Sequence, residues 1–192
     1  MMQLVFATNN AHKLEEAQHI LQAQFQILSL NDAGFSGDLP EDNPTIRENA
    51  LQKMRFYHEL SGKDCFADDT GLEVDALNGA PGVDTAHYSG SRDALANMQL
   101  LLANLEGAPS RRARFVTVIA ASINGKEIVV EGDVWGEIAL NLSGSGGFGY
   151  DPVFIPEGYS NSFAALPSSV KNSMSHRARA LQFFAAQLKQ FL

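Results

Sequence analysis

The stretch Arg114–Gly132, RFVTVIAASINGKEIVVEG, decides how the rest of the chain is read. Two runs rich in apolar and β-branched residues flank Asn124 and Gly125. An Asn-Gly pair in that setting marks a two-residue hairpin, because its turn needs positive φ at both central positions. An antiparallel pair is therefore expected in the middle of the chain. Asp133 to Leu142 adds a further strand candidate, and Ser143–Pro152, SGSGGFGYDP, is too rich in glycine for a strand interior. The short run PVFIP then reads as a last strand.

Upstream, the signals alternate. Leu4–Ala7 is a short apolar run that ends in Thr8, Asn9 and Asn10, after which Leu14, Ala17, Leu21 and Phe25 recur at helical spacing. A second helix is expected with Asn43 as N-cap and Pro44 at its first position; Ile46, Ala50, Met54 and Tyr57 share a face, and Gly62 follows the end. Cys65–Ala67 reads as a buried strand running into Asp68 and Asp69, with Thr70 and Gly71 as a possible turn and Leu72–Leu77 as another short strand. NGAPG is a loop by composition. A third helix fits Arg92–Leu105, with Leu95, Met98, Leu102 and Leu105 inward and Gly107 closing it. The last helix carries a stripe of Ala178, Leu181, Phe184, Ala185, Leu188 and Phe191. On one continuous helix Lys171 and His176 would stand roughly 140° apart. The spacing therefore predicts a break, with Ser175 as N-cap and Lys171 on a preceding turn. Parallel elements early and a hairpin in the middle predict an α/β fold with a mixed, twisted sheet flanked by helices.

Composition narrows the function classes. The 192 residues, 45% hydrophobic with 12 Phe and 19% charged, suit a folded domain with a proper core. A net charge of −8, from 22 acidic and 14 basic residues, disfavours nucleic acid as partner, since phosphate binding by counterion release needs a basic stripe. A small anion carried by a divalent cation remains compatible. A single cysteine, Cys65, rules out an internal disulfide and a cysteine-rich zinc site, and reads as a small buried hydrophobe. The start MMQLVFATNN has no basic region and too short an apolar run for a signal peptide or membrane span, so a cytoplasmic location is expected, with no membrane partner.

Four segments carry polar residues that packing does not require. Thr8–Lys13, TNNAHK, lies at a strand-to-helix junction, where unpaired N–H groups favour an anion; an ordinary capped helix with a solvated lysine explains it as well. Lys13 has the wrong sign for a helix start unless an anion lies beside it. Glu41 and Asp42 precede the second helix, and Glu48, Asn49 and Lys53 follow on it; dipole effects account for acids there. Asp68 and Asp69 at a strand end suit Mg²⁺, an ion usually held by one or two carboxylates, waters and substrate phosphates, or else one of them caps a turn. In the fourth, the loop bearing Phe148 and Tyr150 could lay a ring on a flat base with Asp151 as acceptor, while His176 and Arg177 offer donors; core packing and a solvated helix face are the alternatives.

Taken in order, ATNNAHK, ENALQK, ADDTGLEVDALNGAPG, HYSG, GSGGFGYDPVF and KNSMSHRARA resemble the inosine/xanthosine triphosphate pyrophosphatase family along nearly the whole chain. FGYDP with a downstream SHR is the specific part of the match. The resemblance implies one two-lobed domain spanning 1–192, a long mixed sheet with a substrate groove between lobes, Mg²⁺ dependence and a homodimer. It also implies hydrolysis of ITP, dITP or XTP to the monophosphate and pyrophosphate. By motif matching, Thr8, Asn9, Asn10, Lys13 and Thr70 would hold the triphosphate. Glu41 and Asp69 would bind metal, Asp69 also serving as the base that activates water. Phe148, Gly149, Tyr150, Asp151, Lys171, His176 and Arg177 would form the base pocket, and Lys53 and Asp68 are secondary participants.

Overall fold

The computed structural model describes residues 2–190, so Phe191 of the expected C-terminal stripe lies outside the described residues. The strands are β1 (Met2–Phe6), β2 (Phe25–Leu28), β3 (Cys65–Val74), β4 (Pro81–Gly82), β5 (Arg112–Ile123), β6 (Lys126–Ile138) and β7 (Phe154–Pro156). The helices are α1 (Ala11–Leu21), α2 (Ile46–Ser61), α3 (Ala94–Asn104), α4 (Ser168–Met174) and α5 (His176–Leu188). The sheet runs in the order β2-β1-β3-β5-β6-β7, with β4 paired to β3. It is mixed: β1 is parallel to β2 and β3, whereas β3 pairs antiparallel with β4 and β6 with β7. The hairpin between β5 and β6 turns on Asn124 and Gly125, whose φ values of 50° and 75° are the positive angles that pair was expected to supply.

Contacts divide the chain into two units, and β3, β5 and β6 each contribute residues to both. The first unit holds the chain up to Asp69, Thr117–Gly132 and the chain from Arg177 onward. Its core joins Leu4 and Phe6 of β1, Phe66 of β3, Ile119 and Ile123 of β5, Leu21 of α1 and Leu181, Phe184 and Leu188 of α5. Phe66 stacks on Phe6 with centroids 4.3 Å apart and packs against Phe184 at 5.1 Å. Cys65 is fully buried beside this core, and burial pushes its thiol up to about 12. The second unit holds Thr70–Val116 and Asp133–His176, with a core of Leu72, Val74, Met98, Leu101, Phe115, Phe154 and Phe163. Among the described residues, no helix is long and apolar enough to cross a membrane.

Several local expectations are corrected. Helix α2 begins two residues later than the Asn43–Pro44 signal suggested, because Thr45 is its N-cap and forms a reciprocal cap with Glu48. Thr45 Oγ1 accepts from the Glu48 N–H at 3.1 Å and donates to Glu48 Oε2 at 2.7 Å. Phe25 does not extend the helical stripe of α1; it opens β2, where Phe25 and Ile27 are buried and Gln26 is exposed, the alternation of a strand. Thr70 and Gly71 make no turn, since β3 continues through them to Val74. Gly132 likewise leaves β6 unbroken from Lys126 to Ile138. Leu95 is exposed, and Asn97 takes an inward position on α3 instead, donating to Ala86 O and accepting from the Ser89 N–H. The break before the last helix does occur at Ser175, whose extended backbone (φ −65°, ψ 161°) separates α4 from α5.

Candidate active site

Because β3 stays extended through Asp68 and Asp69, its pleat sends the two carboxylates to opposite faces, where each meets its own lysine. Asp68 is fully buried and accepts from Lys13 Nζ at 2.9 Å and Arg177 Nε at 3.0 Å. Asp69 accepts from Lys53 Nζ at 3.0 Å, and the same ammonium donates to Glu41 Oε1. All of these residues belong to the first unit.

The electrostatics separate the two acids further. Burial opposes ionisation of Asp68, yet Lys13, Arg177 and Lys53 outweigh it and hold its carboxyl well below the usual carboxylate range. Burial dominates at Asp69, raising its carboxyl above the ordinary value despite Lys53 and Lys13, with the Glu41 charge adding to the rise. Burial lowers Lys13 in spite of Asp68, whereas at Lys53 the same burial cost is overcome by Asp69, Asp68 and Glu41, so that lysine is raised. One carboxylate is thus locked in its ionised form, and its neighbour holds a proton more readily.

The strand-to-helix loop supports this arrangement. Asn10 is the N-cap of α1, its side-chain oxygen accepting from the His12 N–H at 3.0 Å and the Lys13 N–H at 3.2 Å. Thr8 Oγ1 accepts from the Asn10 N–H at 3.2 Å, and Asn9 Nδ2 donates to Gly37 O at 3.0 Å. The anion that the position of Lys13 called for is supplied by the chain itself, as Asp68. Arg177, at 1% exposure, is the largest fully buried side chain; its Nη1 donates to Glu16 Oε2 as well. Glu16 was missed by sequence reasoning. Its only local signal was the three-residue spacing from Lys13, which puts both on one face of α1.

The second unit holds another polar group. Asp151 Oδ2 accepts from the Phe148 N–H at 2.8 Å and from Lys171 Nζ at 2.6 Å, and Lys171 Nζ stands 4.9 Å from the Phe148 ring centroid. Gly147 makes this possible: at φ +69° it lies in the left-handed region, and a Cβ there would fall 2.0 Å from Asp151 Oδ2. Gly149, at φ +61°, turns the loop again. Tyr150 is buried in the unit's core, its Oη without a hydrogen-bond partner among the described residues. His176 is 3% exposed and stacks on Phe115 with centroids 4.6 Å apart, 16° from parallel. Thr70, half-buried on β3, also belongs to this unit. The expected site residues thus fall into two sets: Thr8, Asn9, Asn10, Lys13, Glu41, Asp69 and Arg177 in the first unit, and Thr70, Phe148, Gly149, Tyr150, Asp151, Lys171 and His176 in the second.

A divalent cation fits the first set. Glu41 and Asp69 already converge on one positive charge, the Lys53 ammonium, and offer the oxygen donors that hard cations prefer. Among the described residues no group of three or more His, Cys, Asp or Glu is arranged to hold a metal. Two carboxylates match an ion such as Mg²⁺, which takes its other ligands from water and substrate phosphates.

Comparison with known proteins identifies the family. The Ham1 family model matches residues 4–187. A dITP/XTP pyrophosphatase of Porphyromonas gingivalis is 50% identical over 194 aligned positions, covering 100% of this chain and 98% of its own. A dITP/XTP pyrophosphatase of Flavobacterium johnsoniae is 47% identical, covering 94% of this chain and 95% of its own. The solved structure of a HAM1 protein from Coxiella burnetii superimposes with a TM-score of 0.90 at 34% identity, covering 99% of this chain and 100% of that one. With a family model spanning nearly all of its length and relatives this similar end to end, the chain belongs to the Ham1 family.

Proposed function

We propose that the protein hydrolyses non-standard purine nucleoside triphosphates, dITP, ITP and XTP, at the bond between the α and β phosphates, releasing the monophosphate and pyrophosphate. The observation that carries this reading is the division of labour on β3: Asp68 is held ionised between Lys13 and Arg177, and Asp69 stands with Glu41 around a single cationic position. The names borne by the relatives, dITP/XTP pyrophosphatase, point the same way.

In this reading the whole chain of 192 residues works as one catalytic domain. Glu41 and Asp69 would hold Mg²⁺, which when bound would supply positive charge to neutralise the phosphates. Asp69, beside Glu41, is the general base that takes a proton from water. Lys13, with Thr8, Asn9 and Asn10 of the same unit, takes the triphosphate and shares the charge on the departing pyrophosphate. In the second unit, Phe148, Gly149, Tyr150, Asp151, Lys171 and His176 take the base. Arg177, in the first unit, serves Asp68 and Glu16 through Nε and Nη1.

A pocket of donors accepts the 6-keto oxygen of hypoxanthine or xanthine, whereas the 6-amino group of adenine leaves each donor unpaired at about 1–3 kcal/mol. ITP should therefore exceed ATP in kcat/KM by at least about tenfold. The test incubates purified protein with Mg²⁺ and ITP, dITP, XTP, ATP or GTP and identifies the phosphate released. Pyrophosphate from ITP, lost with a chelator and restored by Mg²⁺, is the expected result. Orthophosphate, or equal turnover of ATP and ITP, overturns the reading. The protein is further proposed to be a homodimer, which light scattering of the purified chain checks, and to reside in the cytoplasm.

A further inference from the structure

Glu41 lies in a segment without regular secondary structure, just ahead of α2, yet that segment is tightly held. Three side chains of α2, Asn49, Gln52 and Lys53, are spaced i, i+3 and i+4 and so share one helix face. All three reach back to residues 41–43. Asn49 Oδ1 accepts from the Asn43 N–H at 2.8 Å. Gln52 Oε1 accepts from the Asp42 N–H at 3.0 Å and from Asn43 Nδ2 at 2.7 Å, while Gln52 Nε2 donates to Asp42 Oδ2 at 3.3 Å. Lys53 Nζ completes the set on Glu41 itself.

These contacts do nothing for the start of the helix, which Thr45 caps. Asn49 is 3% exposed, and an amide that deep persists only where its hydrogen bond is used. The backbone N–H groups of Asp42 and Asn43, which no strand or helix pairs, receive side-chain oxygens instead. We propose that Asn49 and Gln52 are positioning residues that fix the chain just after Glu41, so that its carboxylate is placed for the metal before substrate arrives. This rests on the metal role given to Glu41 above. The segment is ordered at folding and not at binding, the usual gain of a preorganised ligand.

The probe is Mn²⁺ alone, titrated into the substrate-free full chain and followed through the electron paramagnetic resonance signal of the free ion. Asn49→Ala should weaken Mn²⁺ binding about tenfold, the low end of what loss of a group supporting a metal ligand produces. Gln52→Ala, at a half-buried position, should act in the same direction and carries the test if Asn49→Ala does not fold. In a Glu41→Gln background, Asn49→Ala should produce no further loss, because it acts only through Glu41. A merely structural role would lower the melting temperature in both backgrounds without that non-additivity. Additive losses, wild-type affinity in both single variants, or no Mn²⁺ binding by the wild type overturn the proposal. A wild type that shows the expected Mn²⁺ pattern but releases no pyrophosphate from ITP overturns the proposed reaction and leaves the positioning role standing.

Discussion

Replacing Asp68 with Asn would leave two cations, the half-buried Lys13 and the buried Arg177, facing an uncharged amide. Breaking a buried pair in this way costs about 3–5 kcal/mol, so Asp68→Asn should lower the denaturation midpoint sharply. Asp69→Asn should keep its stability, since Lys53 retains Glu41 and the burial cost of a second carboxylate disappears, yet lose most turnover, roughly 10²- to 10⁴-fold for a general base. Chemical denaturation beside a pyrophosphate assay separates the two. The pH dependence has a definite sign. The carboxyl of Asp68 is lowered in the folded state, so its stabilising contribution is complete above the unfolded value of about 3.9 and is lost as pH falls through the lower folded value. Denaturation of the metal-free protein from pH 7 downward should show that loss, and Asp68→Asn should remove it. Arg177→Ala belongs to the same logic: because Nε and Nη1 hold Asp68 and Glu16, a raised KM should come with a measurable loss of stability.

At the scale of elements, α2 is the support on which the proposed metal side of the site rests, since it carries Lys53 and grips the segment bearing Glu41. Thr45→Ala should remove its cap and cost about 1 kcal/mol, within the 0.5–2 kcal/mol usual for such caps, as thermal denaturation would show. The Asn43–Pro44 signal pointed two residues too early, and the sequence reading passed over TIRE, a Thr with Glu three positions on. The hairpin at Asn124–Gly125 and the break at Ser175 were legible, because turn chemistry and helical spacing are local. The strand β2 was not: Phe25 falls at helical spacing from Leu21, and only pairing with β1 makes it a strand. Site residues followed the same rule. Lys13 stood out as a cation of the wrong sign at a helix start, and Asp68 and Asp69 as a pair of acids at a strand end, whereas the helix dipole accounted for Glu41, which entered only through the family resemblance. The pairing of Arg177 with Glu16, across 161 residues, had no local trace, because nothing near Arg177 in sequence reveals which acid the fold will bring to it.

For the molecule as a whole, the strands β3, β5 and β6 each supply residues to both contact-defined units, so neither unit can lose its part of the sheet without disturbing the strand that continues into the other. One cooperative transition is expected. Trp135, the single tryptophan, lies on β6 in the second unit, so its fluorescence and the far-UV circular dichroism of the whole chain should unfold with coincident midpoints. Separated midpoints would show that the units melt independently. The placement of Cys65 gives a second view of the same event. Its thiol is fully buried at the head of β3, paired in register with Val5 of β1, and burial has pushed it up to about 12, so folded protein should be silent to thiol reagents at neutral pH. With no other cysteine in the chain, each labelled molecule has opened at least once at the centre of its sheet. The labelling rate therefore counts those openings: this one sulfur serves as a built-in clock for how often the enzyme comes apart, and a ligand that holds the fold together should slow it.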